Sequence, residues 1–289
     1  VSRPYSQFRV VLERATDLTP QLRQLTFTGP ELQHFGATCL DQRIKLVLPR
    51  GRGDDLADFP PGDDWYAAWR ALPEMERRPV RTFTPAAVRP EVGEVDVIVA
   101  RHGDIGPATR WAGAAEPGEQ AILVGPDSRL TGHDRLGLEW RPDGAGEVLV
   151  VGDETALPAI RSIVAALPET ISGRVLLEVP TDADRIALPA PAGVGVEILP
   201  RNEKHEIGEL LLAAVIGEPT ARAELPDDDA ILWDTPTTAE APETGGRRFA
   251  WIAGEAGVVT TIRRHLVSTG WDRSEVAFMG YWRRGRAEC

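Results

Sequence analysis

Short runs of alternating apolar and polar residues dominate the first 125 positions. Phe8-Arg9-Val10-Val11-Leu12 and Leu22-Arg23-Gln24-Leu25-Thr26-Phe27 flank the turn Thr16-Asp17-Leu18-Thr19-Pro20, the period-2 signature of a hairpin with one buried face. The same pattern predicts strands over 44–48, 80–85, 95–100 and 120–124. Antiparallel strands of this length and spacing fold into a small closed β-barrel. Residues 49–78, rich in Gly, Asp, Pro and Trp, interrupt them as a long excursion that is either functional or mobile.

The period changes after Gly125-Pro126. Residues 127–146 are polar and glycine-rich and read as a linker. Strand patterns over 147–151, 174–179, 194–199, 249–253 and 276–280 then alternate with helix patterns over 157–167, 206–216 and 258–266. Such alternation predicts a doubly wound parallel sheet. Residues 219–248 are acidic and rich in Pro, Thr and Gly, an insertion around Ile231-Leu232-Trp233. The expected organisation is an antiparallel β-barrel domain over 1–128 and an α/β domain over 129–289, and 289 residues suit two cores better than one.

Charge and cysteine content narrow the chemistry. A net charge of −12 works against nucleic acid or an anionic membrane as partner. No stretch approaches the roughly 20 apolar residues needed to span a bilayer. The opening Val1-Ser2-Arg3-Pro4-Tyr5 carries no apolar signal core, so the expectation is a soluble cytoplasmic protein, with nothing demanding more than a monomer. Cys39 and Cys289 lie far apart without a C-x-x-C, which predicts no disulfide framework, zinc site or iron–sulfur cluster. Redox chemistry on this chain would need an organic cofactor.

Three short motifs carry that possibility. On the strand Arg81-Thr82-Phe83-Thr84, residues two apart share a face. An arginine fork suits a pyrophosphate, an aromatic ring can cover a flavin, and threonine hydroxyls can bond its polar edge; the same four residues also suit a plain barrel strand. Gly106-Pro107-Ala108-Thr109 opens the helical run 109–115, where unpaired N–H groups attract phosphate or where an ordinary helix simply starts. His102, just upstream, is a donor to a flavin or a structural residue. Gly152-Asp153-Glu154-Thr155-Ala156-Leu157-Pro158 falls where the first α/β strand meets its helix, the place nucleotides bind in such sheets. It contains no G-x-G-x-x-G. Gly254-Glu255-Ala256-Gly257 repeats the geometry at a later helix.

Taken in order, His102-Gly103, Gly106-Pro107-Ala108, Trp111, Pro117-Gly118, Gly125-Pro126, the run from Gly152 to Ile160, Gly254-Glu255-Ala256 and Gly280-Tyr281-Trp282-Arg283-Arg284-Gly285 resemble the siderophore-interacting proteins. These are FAD-dependent ferric-siderophore reductases of the ferredoxin-reductase-like superfamily. The resemblance runs from Phe8 to Gly285. It implies an N-terminal FAD barrel and a C-terminal domain for NADPH or NADH, with a ferredoxin as the alternative donor. Arg81, Thr82, Phe83 and Thr84 match the flavin motif R-x-Y-[ST], from which Phe83 departs by lacking a hydroxyl and so one hydrogen bond, about 0.5–1.5 kcal/mol. Gly106, Pro107, Ala108 and Thr109 match the pyrophosphate-binding helix start, with His102 and Trp111 beside it. Asp153, Glu154, Thr155, Ala156, Glu255 and Ala256 match the frame around the nicotinamide, and Trp282 a place near the isoalloxazine.

The implied substrate is an anionic ferric siderophore, which an acidic protein receives through a local basic mouth. Lys45, in Asp41-Gln42-Arg43-Ile44-Lys45-Leu46, resembles the family's D-x-x-V-K-L strand, and Arg129, Arg283 and Arg284 are the further candidates. Arg185, Arg201 and Lys204 either meet a 2′-phosphate or face solvent, so the pattern leaves NADPH against NADH open. The expected activity moves hydride from nicotinamide to FAD and single electrons onward to iron, releasing Fe(II), with no catalytic acid or base. The alternatives are a flavin reductase serving a ferredoxin, haem protein or quinone, and a non-catalytic flavin- or siderophore-binding protein.

Overall fold

The computed structural model describes residues 4–101, 106–217, 220–224, 233–234 and 247–285, and the chain divides into two compact units between Leu138 and Glu139. In the first unit, β1 (Tyr5–Thr19) and β2 (Leu22–Thr28) form the expected hairpin, in register from Val11↔Thr28 to Thr19↔Leu22. Thr16 to Thr19 belong to β1 and pair with β2, so the turn is Pro20-Gln21 and not the stretch from Thr16 to Pro20. With β3 (Ile44–Val47), β4 (Val80–Phe83), β5 (Pro85–Arg89), β6 (Glu94–Ala100) and β7 (Gln120–Pro126) they make one antiparallel sheet, ordered β4-β3-β7-β1-β2-β6-β5.

The strand expected over 80–85 is in fact two. Pro85 has no N–H to continue a ladder, and the chain breaks at Thr84 and restarts as β5, paired with β6. The two edge strands of the sheet are therefore consecutive in sequence with one residue between them, so the sheet curls round to bring its edges to the same point. Its concave side holds Phe8, Leu12, Leu25, Phe27, Leu46 and Leu123.

The excursion over 49–78 is a packed outer layer. It carries α1 (Trp65–Ala71) and buries Leu56, Phe59 and Trp69 against Val47, Val80, Ile122 and Val124. Leu123 thus faces one side of β7 and its neighbours the other, as the pleat requires. Trp69 Nε1 donates to Arg78 O at 2.9 Å, and the Arg78 side chain, 6% exposed, is paired with Asp54 and Asp58. That pairing holds the Asp54 carboxyl well below the usual range.

The first unit ends at Leu138 rather than at 128. The residues read as a linker dock back: Gln42 Nε2 donates to His133 O (2.7 Å) and Leu136 O (2.9 Å), the Tyr5 hydroxyl donates to Leu136 O (3.0 Å), and Arg43 N to Gly137 O (2.9 Å). Polar and glycine-rich composition signalled a loop, and the loop is held by side chains from β1 and the approach to β3.

In the second unit β8 (Glu147–Gly152), β9 (Ser172–Val179), β10 (Val194–Pro200), β12 (Arg248–Glu255) and β13 (Val276–Trp282) are parallel, ordered β10-β9-β8-β12-β13. The two-residue β11 (Trp233–Asp234) lies antiparallel on β13, and Ile231 and Leu232 fall outside the described residues. Helices α3 (Leu157–Ala165), α4 (Glu209–Ile216) and α5 (Ala256–Ser268) match the expected ones, α4 starting late because Gly208, at φ +84°, ends the preceding loop in a left-handed turn. Val151, Leu176, Leu211, Ile252, Val258 and Ile262 join the sheet to α4 and α5 in one core. The chain walks outward from β8 to β10, then returns to the other side of β8, which sets the switch point of the sheet between β8 and β12. Among the described residues no helix is long and apolar enough to cross a membrane.

Candidate functional site

In the first unit the candidate flavin residues occupy the edge strand β4 and the residue after it. Antiparallel register places Lys45 opposite Thr82, Leu46 opposite Arg81 and Ile44 opposite Phe83. Lys45 Nζ donates to Thr82 Oγ1 at 2.6 Å, so the candidate substrate lysine and the flavin strand are in direct contact. Thr82 is exposed, Thr84 is buried, and Phe83 is half-buried against the central core. Arg81, also half-buried, donates from Nη1 to Val80 O at 2.9 Å.

Helix α2 (Pro107–Ala114) begins at Gly106, whose φ of +96° favours glycine and whose missing Cβ would meet none of the described residues within 4 Å. Pro107 follows at the first helical position. A glycine at this place supplies no side-chain cap to the first-turn N–H groups. Thr109 is half-buried in that turn. Ala108 and Trp111 pack on the core; Trp111 stacks on Phe27 (6.3 Å between centroids, 7° between planes) and donates from Nε1 to Glu119 Oε2 at 2.7 Å. The Trp111 ring is thereby engaged in holding α2 to the sheet. His102 lies outside the described residues. A guanidinium, an aromatic ring and two hydroxyls on one sheet edge, with an uncapped helix start over the same core, form a donor set that fits FAD.

In the second unit Asp153 sits at the switch point with 2% of its surface exposed. Its Oδ1 accepts from Thr155 N (2.9 Å) and the Thr155 hydroxyl; its Oδ2 accepts from Glu255 N (2.9 Å) and Trp282 Nε1 (2.8 Å). One carboxylate thus ties together the ends of β8, β12 and β13. Gly254, at φ +144°, allows the approach, since a Cβ there would stand 2.6 Å from Asp153 Oδ2. Burial, then the neighbouring Glu154, push the Asp153 carboxyl up from its ordinary range.

The other residues expected around a nicotinamide are likewise engaged in the fold. Glu255 caps α5, its Oε2 accepting from Gly257 N (2.9 Å) and Val258 N (3.0 Å). Ala156 and Ala256 are buried, Ala156 directly over Gly152. Glu154 turns inward to Arg201, whose Nη2 donates to Glu154 Oε1 (2.7 Å) and whose Nη1 donates to Glu154 Oε2 and Glu178 Oε1 (both 2.9 Å). Glu178 also accepts from Gly208 N at 2.7 Å, yet burial still pushes its carboxyl up. Arg201 is therefore an internal cation, 8% exposed at its side chain, and not a partner for a 2′-phosphate. Glu178 belongs to none of the sequence motifs, and its only signal is a carboxylate in the otherwise apolar run Val175-Leu176-Leu177-Glu178-Val179, the mark of a buried ion pair.

The four candidate cations for an anionic substrate divide between the units. Arg129 forms a fork on Asp127, Nε to Oδ1 at 2.8 Å and Nη2 to Oδ2 at 2.6 Å. Arg284 pairs with Glu206 and donates its backbone N–H to Glu255 Oε1 at 3.3 Å. Arg283 is half-buried after β13.

The fold is thus a curled antiparallel sheet followed by a parallel α/β unit. Residues 11–130 match the siderophore-interacting FAD-binding domain, and residues 145–285 match the siderophore-interacting protein domain. The chain is 32% identical to the uncharacterized protein Rv2895c of Mycobacterium tuberculosis, over 99% of this chain and 93% of that one. It is 26% identical to the ferric vibriobactin reductase ViuB of Vibrio cholerae, over 94% and 87%. The siderophore-interacting protein SipS of Aeromonas hydrophila superposes with a TM-score of 0.69 at 27% identity, over 98% of this chain and 94% of that one. The chain belongs to the siderophore-interacting protein family.

Proposed function

We propose that the protein is a FAD-dependent ferric-siderophore reductase fed by a reduced nicotinamide. The observation that carries the reading is the start of α2 at Gly106, without a side-chain cap, over the same core as Phe83 of the strand that carries Arg81 and leads into Thr84, inside the segment that matches a siderophore-interacting FAD-binding domain. Likeness to a ferric vibriobactin reductase over 94% of the chain supports the substrate class.

In this reading the α2 N–H groups and the Arg81 fork bind the pyrophosphate, Phe83 covers one face of the ring, and Thr84 bonds its polar edge. When bound, FAD would supply the exchange between a two-electron hydride donor and a one-electron ferric acceptor, chemistry that no side chain of the protein provides. Asp153 and Glu255 fix the strand ends that receive the nucleotide. Lys45, held beside the flavin strand by Thr82, attracts the anionic ferric complex.

Purified protein tests this directly. Bound flavin of about one FAD per chain, lost from Arg81→Ala while the far-ultraviolet spectrum stays unchanged, is the expected result. A protein that refuses FAD on reconstitution contradicts it.

A further inference from the structure

In an open parallel sheet the nucleotide lies outside the carboxyl ends of the strands, and the adenosine ribose falls beside the end of the strand next to the first. Here that strand is β9, and the loop following it brings Asp182, exposed by 65% at its side chain. Asp182 N donates to Asn202 Oδ1 at 2.9 Å, and Asn202 Nδ2 donates back to Asp182 Oδ2 at 2.7 Å. This reciprocal pair joins the loops after β9 and β10. The backbone builds it: Arg201 N donates to Val179 O (3.0 Å) and Asn202 N to Pro180 O (2.9 Å), so the parallel ladder continues past the strand ends.

The cations at this edge already have acidic neighbours. Arg201 is buried between Glu154 and Glu178. Arg185 donates from Nε to Asp182 Oδ1 at 2.9 Å and from Nη1 to Ile198 O at 2.8 Å. Lys204 is exposed and acts on Asp182, with the exposed Glu203 next to it in the chain. Asp184 is buried and takes up the Thr181 hydroxyl at 2.7 Å. A ribose hydroxyl can donate to the Asp182 carboxylate. A 2′-phosphate carries about −1.5 to −2 charges and would meet that carboxylate as a like charge.

Resting on the reading above that a reduced nicotinamide supplies the electrons, we infer that Asp182, held by Asn202, selects the donor: the site takes NADH and rejects NADPH.

The test compares two donors and their oxidised forms on the FAD-loaded protein. Anaerobic flavin reduction gives kcat/KM for NADH and NADPH, and titration calorimetry gives the affinity for NAD⁺ and NADP⁺ independently of turnover. The expected preference for the form without the 2′-phosphate is about ten-fold or more in both. Asp182→Ala narrows it at least several-fold by weakening NADH and strengthening NADPH. Equal use of the two donors, or a preference for NADPH, overturns the inference and leaves the reductase reading intact. A flavin that neither donor reduces, with neither oxidised form binding, removes both. The wild-type comparison decides even if Asp182→Ala fails to fold.

Discussion

Trp282 Nε1 donates to Asp153 Oδ2 at 2.8 Å across 129 positions of sequence. The contact depends on an irregularity: the parallel register of β12 and β13 shifts between Gly254 and Glu255, so that Glu255 lies opposite Trp282 rather than Tyr281. Asp153 Oδ2 then receives the indole and the Glu255 N–H together. Asp153→Asn places an amide where one oxygen accepted, and about 2–3 kcal/mol of stability is expected to go. Trp282→Phe removes one donor of two and costs about 1 kcal/mol. Urea unfolding of the two variants measures both, and equal losses would contradict the shared-acceptor account.

The Glu154–Arg201–Glu178 cluster makes a sharper demand. Arg201→Met leaves two fully buried carboxylates without their cation and is expected to cost about 3–5 kcal/mol. Arg201→Lys restores little, because an ammonium cannot reproduce the fork that reaches both glutamates. Combining Arg201→Met with Glu154→Gln and Glu178→Gln recovers most of the loss. Denaturant midpoints across the series read the coupling.

Two sets of carboxylates give stability opposite dependences on pH. Hydrogen bonds from Arg14 first and Arg89 second pull the Glu94 carboxyl down to about 2. Its contribution is full above the ordinary glutamate value of 4.5 and is lost as pH falls through about 2. Asp153 and Glu178 are pushed up by burial. Their contribution is full below the ordinary carboxylate range and is lost as pH rises through the raised values. Melting temperatures against pH should therefore show a weaker acid limb in Glu94→Gln and a weaker decline above the carboxylate range in Glu178→Gln.

Much of this fold is legible in the chain because each element has a face to bury. Alternation marked β1, β2 and β6, and apolar runs marked the five parallel strands. Pro85-Ala86-Ala87-Val88-Arg89 lacks both signals, and β5 forms because the curling sheet offers β6 as a partner. Motif spacing located Asp153, Glu154 and Glu255, but what their side chains touch depends on Trp282, Arg201 and the α5 backbone, contacts set by the packed sheet and absent from local sequence. The Asp182–Asn202 pair went unread for the same reason, being made of two loops that meet only where β9 and β10 lie side by side.

Gly106 separates backbone strain from ligand binding. Its φ is +96°, and among the described residues no atom stands within 4 Å of where a Cβ would lie. Gly106→Ala should cost about 1 kcal/mol of stability through strain alone, yet weaken FAD more than that loss implies, because the methyl group enters the space before the α2 N–H groups. Titration of the apoprotein with FAD, beside thermal melts without it, distinguishes the two effects.

The most direct measurement of the central claim begins with the FAD-loaded protein reduced anaerobically and freed of excess reductant. A ferric siderophore is then added with a ferrous trap present. The account predicts return of the oxidised flavin spectrum and about two trapped Fe(II) per flavin, since each flavin holds two electrons for a one-electron acceptor. Flavin that stays reduced in the presence of ferric catecholate, hydroxamate and mixed siderophores would contradict it.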